Sequence, residues 1–361
     1  IPYDHVVLAT GSYPFVPPVE GIQKVGVFVY RTLEDLQKII EYGQQAKKCA
    51  VIGGGLLGLE AAKAAYDLGL ETHVVEFASR LMPRQIDDAG SKILVKQIED
   101  LGVHVHLNKA TQEVLGGARV DGMTFRDGDH LDVDMIIVSA GIRPRDELGR
   151  DCGLEIGARG GICVDDQLQT SDPSIYAIGE VALHGGMVYG LVAPGYEMAE
   201  IVATNMCGGD RRFGGTDLST KLKLMGVDVA SFGDYEAGPE RARSLVFEDP
   251  IGGVYKKLLF DQEGRQLLGG VLIGDANDYG TLSALARGGQ PLPCSPAELM
   301  GLGGNTSSAI GGVESMCDDA QVCSCNNVTK AGVCAAIQEG GTTLADVKQR
   351  TKAGTGCGGC L

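Results

Sequence analysis

The chain has 361 residues, 44% of them hydrophobic, which is enough for two or three domains with cores of their own. Its formal net charge is −16 and no run of Lys or Arg interrupts the acidic background, so nucleic acid is not an expected partner. No apolar stretch approaches the roughly 18 residues of a membrane span, which argues against a membrane partner. Eleven cysteines in a chain with this much core favour a reducing, cytoplasmic location.

The first residues read as the end of a domain rather than its beginning. Residues 3–11 form an apolar strand followed by a Thr-Gly turn, and the chain starts without Met, so we expect a fragment of a longer protein. A proline-rich connection over residues 14–18 and a helix over about 32–46 follow.

Strands and helices then alternate. The pattern predicts strands at 49–53, 72–76, 103–107 and 135–138, helices at 56–68 and 87–101, and a turn at Asp127-Gly128. This alternation is typical of a doubly wound parallel sheet.

A glycine-rich loop joins the first of these strands to its helix. Gly53, Gly55 and Gly58 match the pattern G-x-G-x-x-G, which is weak alone but strong after an apolar strand and before a helix. The second strand ends in Glu76, whose carboxylate suits a ribose 2′-hydroxyl and repels a 2′-phosphate. We therefore predict an NADH site, with the neighbouring Arg80 and Arg84 softening the preference. The alternative is a glycine-rich turn without a ligand.

The pattern returns to extended segments from residue 162 and changes again after the helix that follows them. Extended segments over 162–178 precede a helix at about 195–206, and short strands follow at 222–229, 244–248, 255–260 and 267–273. These strands suggest a small antiparallel sheet packed with helices. Residues rich in Gly, Pro and Ser then read as a linker.

The chain closes on a set of four cysteines. Cys323 and Cys325 form C-x-C, and Cys357 and Cys360 form C-x-x-C after 31 intervening residues. This spacing favours a [2Fe-2S] cluster held by four thiolates over a zinc ribbon, and disulfides remain the alternative. Thr329 and Thr343 are predicted to cap two short helices between the pairs, and Cys334 is expected in the core of the first.

Other candidate sites are weaker. His104 and His106 form H-x-H on a strand, but the sequence shows no third metal ligand nearby. No G-x-S-x-G nucleophile motif is present, and we assign no catalytic residue.

Residues 170–180, ending in Gly179-Glu180, resemble the second FAD motif of the two-dinucleotide-domain flavoprotein reductases, with Glu in place of the usual Asp. Thr10-Gly11 and the turn at Gly141 resemble the strand-end turns by which that fold passes between its FAD and NAD domains. Over nearly its whole length the chain resembles the NADH-dependent nitrite reductase large-subunit family, and its last segment is similar to bacterioferritin-associated ferredoxin.

The resemblance implies the following fold. It is an α/β two-dinucleotide-binding-domain flavoprotein reductase with a partial FAD domain and a complete Rossmann-like NAD domain, followed by a small α+β domain and a small helical [2Fe-2S] domain. The implied divisions are 1–30 and 146–208 for the FAD domain, 31–145 for the NAD domain, 209–287 for the α+β domain, 288–317 for the linker and 318–361 for the cluster module.

The resemblance also implies cofactors and partners. Gly179 and Glu180 would bind FAD, Glu60 would lie near the flavin ring and Arg31 would contact FAD. Thr10, Gly11 and Gly141 would bind cofactor at the turns between the two dinucleotide-binding domains. The first FAD loop would lie upstream, and a sirohaem and [4Fe-4S] domain that reduces nitrite would lie downstream. A small subunit and a homodimer are compatible with this family.

Two alternatives to a nitrite reductase segment stay open. One is an FAD/[2Fe-2S] electron-transfer subunit of an assimilatory nitrate reductase. The other is a module that binds metal or a partner without redox work. In the leading interpretation a flavin stands between NADH, which gives two electrons, and a cluster, which accepts one.

Overall fold

The computed structural model describes residues 2–216, 218–301, 318, 321–323, 326, 328–355 and 360. Strands in the described part are β1 (Val6–Leu8), β2 (Ser12–Pro14), β3 (Val27–Val29), β4 (Lys48–Ile52), β5 (Glu71–Val75), β6 (His104–His106), β7 (Thr111–Leu115), β8 (Gly122–Phe125), β9 (His130–Leu131), β10 (Met135–Val138), β11 (Ile142–Pro144), β12 (Ile162–Val164), β13 (Ile175–Ala177), β14 (Ala182–His184), β15 (Thr220–Leu224), β16 (Val227–Gly233), β17 (Arg243–Asp249), β18 (Val254–Phe260), β19 (Leu267–Ile273), β20 (Gln321–Cys323) and β21 (Val328–Thr329).

Helices in the same residues are α1 (Leu33–Gly43), α2 (Leu56–Asp67), α3 (Asp88–Asp100), α4 (Glu147–Asp151), α5 (Val192–Met206), α6 (Tyr279–Gly288), α7 (Pro296–Leu299), α8 (Lys330–Gln338) and α9 (Leu344–Thr351), with a 3-10 helix at Gly179–Val181. None of them is long and apolar enough to cross a membrane.

The contacts divide the chain into two compact units. In the first, built mainly from residues 2–15 and 141–216, the strands form three two-stranded pairs, and two of these pairs contribute to one core. β1 pairs with β13 in parallel, β2 with β11 antiparallel, and β12 with β14 in parallel. Ile175, Ala177, Met198 and Ile201 are buried together, so β13 packs on α5.

The helix α5 begins earlier than the sequence indicated. It starts at Val192 rather than near residue 195, because Pro194 lies within the first helical turn. Proline is tolerated there since the N–H it lacks would have no intrahelical partner.

A five-stranded parallel sheet forms the centre of the second unit, in the order β3-β10-β4-β5-β6. Its central strands β4 and β10 are largely apolar on both faces because both faces are covered. Val51, Val74 and Ile137 face α1, α2 and α3. Ala50 and Val75 face the small sheet β7-β8-β9, which includes the predicted turn at Gly128. The alternation predicted for residues 49–138 is confirmed within a residue or two at each end, with β3 added at one edge.

The second unit also contains an antiparallel sheet, in the order β15-β16-β19-β18-β17. The strand predicted over 222–229 is wrong, because two strands occupy this region. Leu224 pairs with Val227, and the turn between them places Met225 at φ 52° and Gly226 at φ 89°. Two successive positive φ angles make a tight hairpin turn, which the sequence does not reveal because the turn lacks the usual Asn or Asp.

The helices predicted between the two cysteine pairs are confirmed. The side chain of Thr329 accepts a hydrogen bond from Gly332 N at the start of α8, and Thr343 and Asp346 form a reciprocal capping box at α9. Cys334 is half-buried in α8. Residues 288–301 of the predicted linker contain α7, and residues 302–317 lie outside the described residues. The domain boundaries themselves stay a prediction.

Asp87 joins the parallel sheet's helix layer to the antiparallel sheet. It caps α3 by accepting from Gly90 N at 3.0 Å, and its other oxygen accepts from Tyr255 Oη at 2.8 Å and Lys257 Nζ at 2.9 Å. Desolvation opposes ionisation, but hydrogen bonds from Lys257, Gly90 and Tyr255 outweigh it and hold the pKa of Asp87 below its usual range. The ionised carboxylate therefore stabilises the fold.

The substitution Asp87→Asn keeps a capping oxygen and removes the charge. We expect the free energy of unfolding at pH 7, measured by urea denaturation, to fall by about 1–3 kcal/mol. Because the folded-state pKa is lowered, the charge stabilises above about pH 4 and its contribution is lost as the pH falls through that pKa. The difference in the free energy of unfolding between Asp87→Asn and wild type should therefore decrease as the pH falls below about 4.

The control is Asp100→Asn, an exposed member of an ion pair on the same helix. Asp100→Asn should lower the free energy of unfolding by less than about 0.5 kcal/mol. Equal losses in the two variants would contradict the role assigned to Asp87.

Candidate functional site

The glycine loop connects β4 to α2 in a conformation that side chains would block. Gly53 has φ 118°, and a Cβ there would lie 2.2 Å from the carbonyl oxygen of Ser139. A Cβ at Gly58 would lie 1.9 Å from Gly53 O. Both positions require glycine, one for the turn and one for the close packing of helix on strand.

Gly55 differs from these two because the space around it is open. It is the N-cap of α2, and a Cβ there would have no neighbour within 4 Å in the described part of the chain. No side chain caps this helix N-terminus. The first N–H groups of α2 and their partial positive charge are therefore accessible to an anionic group such as a pyrophosphate.

Glu76 follows β5 at its carboxyl end and holds the loop. Its Oε2 accepts from Gly54 N at 2.6 Å and its Oε1 accepts from Ala78 N at 2.7 Å. Each carboxylate oxygen keeps a second lone pair for a ribose hydroxyl. Arg80 is engaged by Asp88 and by the carbonyl oxygen of Pro83.

Glu60 lies on α2, one turn beyond the loop. Its side chain reaches solvent, yet desolvation by its surroundings raises the pKa of its carboxyl. Desolvation and then the charge of Glu60 raise the pKa of Tyr30. Arg31 follows Tyr30 and is exposed.

In the first unit, two turns lie together at the carboxyl ends of the parallel strands β1 and β13. One contains Thr10 and Gly11, and the other contains Gly179 and Glu180, with φ of 72° at Gly11 and 70° at Gly179. A Cβ at Gly195 on α5 would lie 3.7 Å from Gly179 Cα, so helix and turn pack closely. Such paired strand ends form ligand sites in parallel sheets.

Backbone contacts tie the turn at Gly141 to the turn at Thr10. Phe15 N donates to Gly141 O at 2.8 Å, Arg145 N donates to Gly11 O at 2.8 Å, and the Thr10 hydroxyl donates to Arg145 O at 2.6 Å. The structure thus brings Thr10, Gly11, Gly141, Gly179 and Glu180 into one region of the first unit.

Sequence reasoning missed Ser12 as a member of this group. Its hydroxyl donates to Glu180 Oε2 at 2.6 Å, and the side chain is buried. Ser12 follows the Thr-Gly turn directly, so the strand-end pattern contained a signal for it. The hydrogen bond orients a carboxylate that is one methylene longer than the usual Asp.

In the cysteine module, the first and last members of the predicted set meet. Cys323 is buried at the end of β20, and Cys360 packs in the same small core as Val328 and Ala353. Burial and then a hydrogen bond with Cys323 raise the pKa of the Cys360 thiol. Cys325 and Cys357 lie outside the described residues. The two described thiols fit a shared metal centre.

The expectation that the H-x-H strand has no third ligand is wrong. β5 lies beside β6 in the sheet and contributes His73 and Glu71 next to His104 and His106. Desolvation lowers the pKa of both His73 and His106. The residues are remote in sequence, and only the strand order brings them together.

These features define a nucleotide-binding flavoprotein reductase. They are the glycine loop, the acid that follows β5, and the two turns at the ends of β1 and β13. The chain belongs to the pyridine nucleotide-disulphide oxidoreductase family, whose model matches residues 1–202. Residues 219–288 match the rubredoxin NAD+ reductase C-terminal domain, and residues 321–361 match the BFD-like [2Fe-2S] binding domain. The predicted fold class and the cofactor-binding domains are confirmed.

The chain is 51% identical to the nitrite reductase [NAD(P)H] large subunit of Klebsiella oxytoca over 99% of its own length and 38% of that relative. It is 38% identical to the assimilatory nitrate reductase electron transfer subunit of Bacillus subtilis, covering 99% of this chain and 46% of that one. A ferredoxin reductase from Rhodopseudomonas palustris superposes with a TM-score of 0.74 at 27% identity, over 86% of this chain and 76% of that one. The chain thus spans less than half of these two curated relatives, and the predicted resemblance is confirmed.

Two alanine substitutions in the loop separate nucleotide binding from folding. Gly55→Ala adds a methyl group into open space at a φ of −82°, where the poorer capping by Ala and its lower unfolded-state entropy oppose each other, so we expect stability to change by about 1 kcal/mol or less. Binding of NADH, measured by fluorescence titration, should weaken by about tenfold or more, which is about 1.4 kcal/mol. The reason is that the methyl group occupies space that the pyrophosphate needs.

Gly58→Ala is the matched comparison. Its methyl group would overlap Gly53 O, so we expect a loss of about 1–3 kcal/mol in the free energy of unfolding. Unchanged NADH affinity in folded Gly55→Ala would contradict a pyrophosphate at this position.

Proposed function

We propose that this chain is the electron-entry part of an NADH-dependent nitrite reductase. It would take electrons from NADH and pass them through FAD to a [2Fe-2S] cluster, from which a sirohaem and [4Fe-4S] domain elsewhere in the whole protein would reduce nitrite to ammonia. The observation that carries this proposal is the similarity to the Klebsiella oxytoca protein over 99% of this chain.

Specific residues would bind NADH. The N–H groups at the start of α2 would bind the pyrophosphate, with Gly55 allowing close approach and Gly53 and Gly58 shaping the loop. Glu76 would accept a hydrogen bond from a ribose 2′-hydroxyl, and its negative charge would disfavour the 2′-phosphate of NADPH.

Other residues would bind FAD. Thr10, Gly11, Gly141 and Gly179 would line its site, and Glu180, oriented by Ser12, would accept hydrogen bonds from the ribityl chain. We assign Glu60 and Arg31 to FAD by resemblance alone. A bound flavin accepts two electrons as hydride and releases them singly, which a one-electron cluster requires.

The four cysteines Cys323, Cys325, Cys357 and Cys360 would hold the cluster as thiolates. The burial shared by Cys323 and Cys360 supports this assignment, because burial restricts solvent access to a cluster. We place the protein in the cytoplasm on its cysteine content. A small subunit and a homodimer are further proposals from the family resemblance.

The second candidate is an electron-transfer subunit of an assimilatory nitrate reductase, favoured by the similarity to the Bacillus subtilis protein. The two functions differ in what receives the electrons. In the first, nitrite is reduced within the same protein, whereas in the second a separate nitrate reductase is required.

Both candidate functions can be tested with the whole protein, loaded with FAD and reconstituted with iron and sulfide. We expect NADH to bleach the flavin absorbance, to give an EPR signal from a reduced cluster, and to be oxidised with nitrite in the stoichiometry of reduction to ammonia. Oxidation coupled only to added nitrate reductase would select the second candidate. Bound zinc without sulfide would overturn the cluster.

A substitution in the module separates the two halves of the electron path. Cys360→Ser should abolish the cluster's EPR signal and nitrite reduction while leaving NADH reduction of the flavin within about twofold of wild type, because its Sγ is a ligand only of the cluster. Cys334→Ser, in the same module, should keep the cluster. Equal cluster loss in both variants would contradict the ligand assignment.

A further inference from the structure

Four side chains from two adjacent strands converge at one face of the parallel sheet. Glu71 and His73 lie two residues apart on β5, and His104 and His106 lie two residues apart on β6. His73 is the Cα partner of His104 in the parallel register. Because alternate residues of a strand share a face, all four project to the same side.

The distances within this group suit a metal centre. His73 Nε2 lies 3.2 Å from Glu71 Oε1, and one ligand atom each from Glu71, His73 and His104 lie within 4.8 Å of one another. The rings of His73 and His104 are stacked, with centroids 4.7 Å apart and 22° between their planes. His73 is buried, while Glu71 and His104 reach solvent, which leaves an entry path.

We propose that Glu71, His73 and His104 bind one divalent transition-metal ion of the zinc class, and that His106 positions His73. Two imidazoles and a carboxylate are a common donor set for zinc, with a water molecule as the fourth ligand. Metal–ligand distances of about 2.0–2.2 Å require donor atoms roughly 3.3–3.6 Å apart in a tetrahedron. The 3.2 Å between Glu71 Oε1 and His73 Nε2 is close to that range. Rotation of the exposed His104 closes the remaining gap.

His106 supplies the outer contact that such a site needs. Its Nε2 lies 3.1 Å from His73 Nδ1. With a metal on Nε2, His73 carries its proton on Nδ1 and donates it to His106, which fixes the tautomer and the plane of the ring. Lys48 Nζ, 2.9 Å from Glu71 Oε1, competes for the carboxylate, so metal binding exchanges this surface ion pair for coordination.

The proposed centre is separate from the nucleotide loop. Glu71 begins β5, whereas Glu76 follows the carboxyl end of that strand, so the two acids are about 16 Å apart along an extended chain. The ion would link the edge strand β6 to β5 and would stabilise the folded state in proportion to its occupancy. The inference does not depend on the proposed function.

Cobalt(II) titration of the tag-free, reduced chain tests the assignment, because the absorption of thiolate-bound cobalt differs from that of cobalt bound by nitrogen and oxygen. We expect wild type to bind one cobalt with nitrogen and oxygen ligands in addition to any on cysteines. Glu71→Gln and His104→Ala should each weaken that site by about 100-fold or more, and His106→Ala by about 10-fold.

His130→Ala is the matched control, since His130 is an exposed histidine on β9 outside the group. It should keep wild-type affinity. Unchanged binding in Glu71→Gln and His104→Ala would overturn the proposal. If a variant does not fold, the cobalt spectrum of the wild-type chain still tests the proposed site. Absorption of the thiolate type alone at saturation would also overturn the proposal.

Discussion

The absence of a side chain at Gly58 is the constraint on which the nucleotide-binding sheet depends. Helix α2 approaches the end of β4 so closely that a Cβ would lie 1.9 Å from a backbone oxygen. This contact sets the position of the helix N-terminus relative to the strand. It thereby places Gly55 at an open N-cap and leaves Gly54 N beside Glu76, so the loop, the helix and the next strand form one rigid frame.

Parallel pairing has a comparable effect in the first unit. β1 and β13 are remote in sequence, yet their carboxyl ends are neighbours, and each continues into a turn with a positive-φ glycine. Residues that are far apart in the sequence, such as Gly11 and Gly179, are thus brought into one site. The buried Ser12 hydroxyl then orients Glu180, so the longer acid is held by a contact within the unit.

Local patterns predicted the parts of the fold that depend on local physics. The strand at 135–138 and the caps at Thr329 and Thr343 were predictable because burial of apolar runs and hydrogen bonding of helix ends act over a few residues. The hairpin at Met225-Gly226 was not predicted, since Met and Gly lie between the apolar Leu224 and Val227 and the turn has no Asn or Asp. The metal-ligand set around His73 was also missed, because strand order is a property of the whole sheet rather than of any segment.

Glu76 already accepts two backbone hydrogen bonds, from Gly54 and Ala78, before any ribose is considered. The same carboxylate is therefore both a structural anchor and the proposed selector of the nucleotide. An evolutionary change toward NADPH could not simply neutralise this position, because at least one of the two amide groups would lose its acceptor and the phosphate-binding loop would loosen. Under the proposed role of Glu76, cofactor choice is coupled to the integrity of the loop, so a switch would require at least one compensating residue.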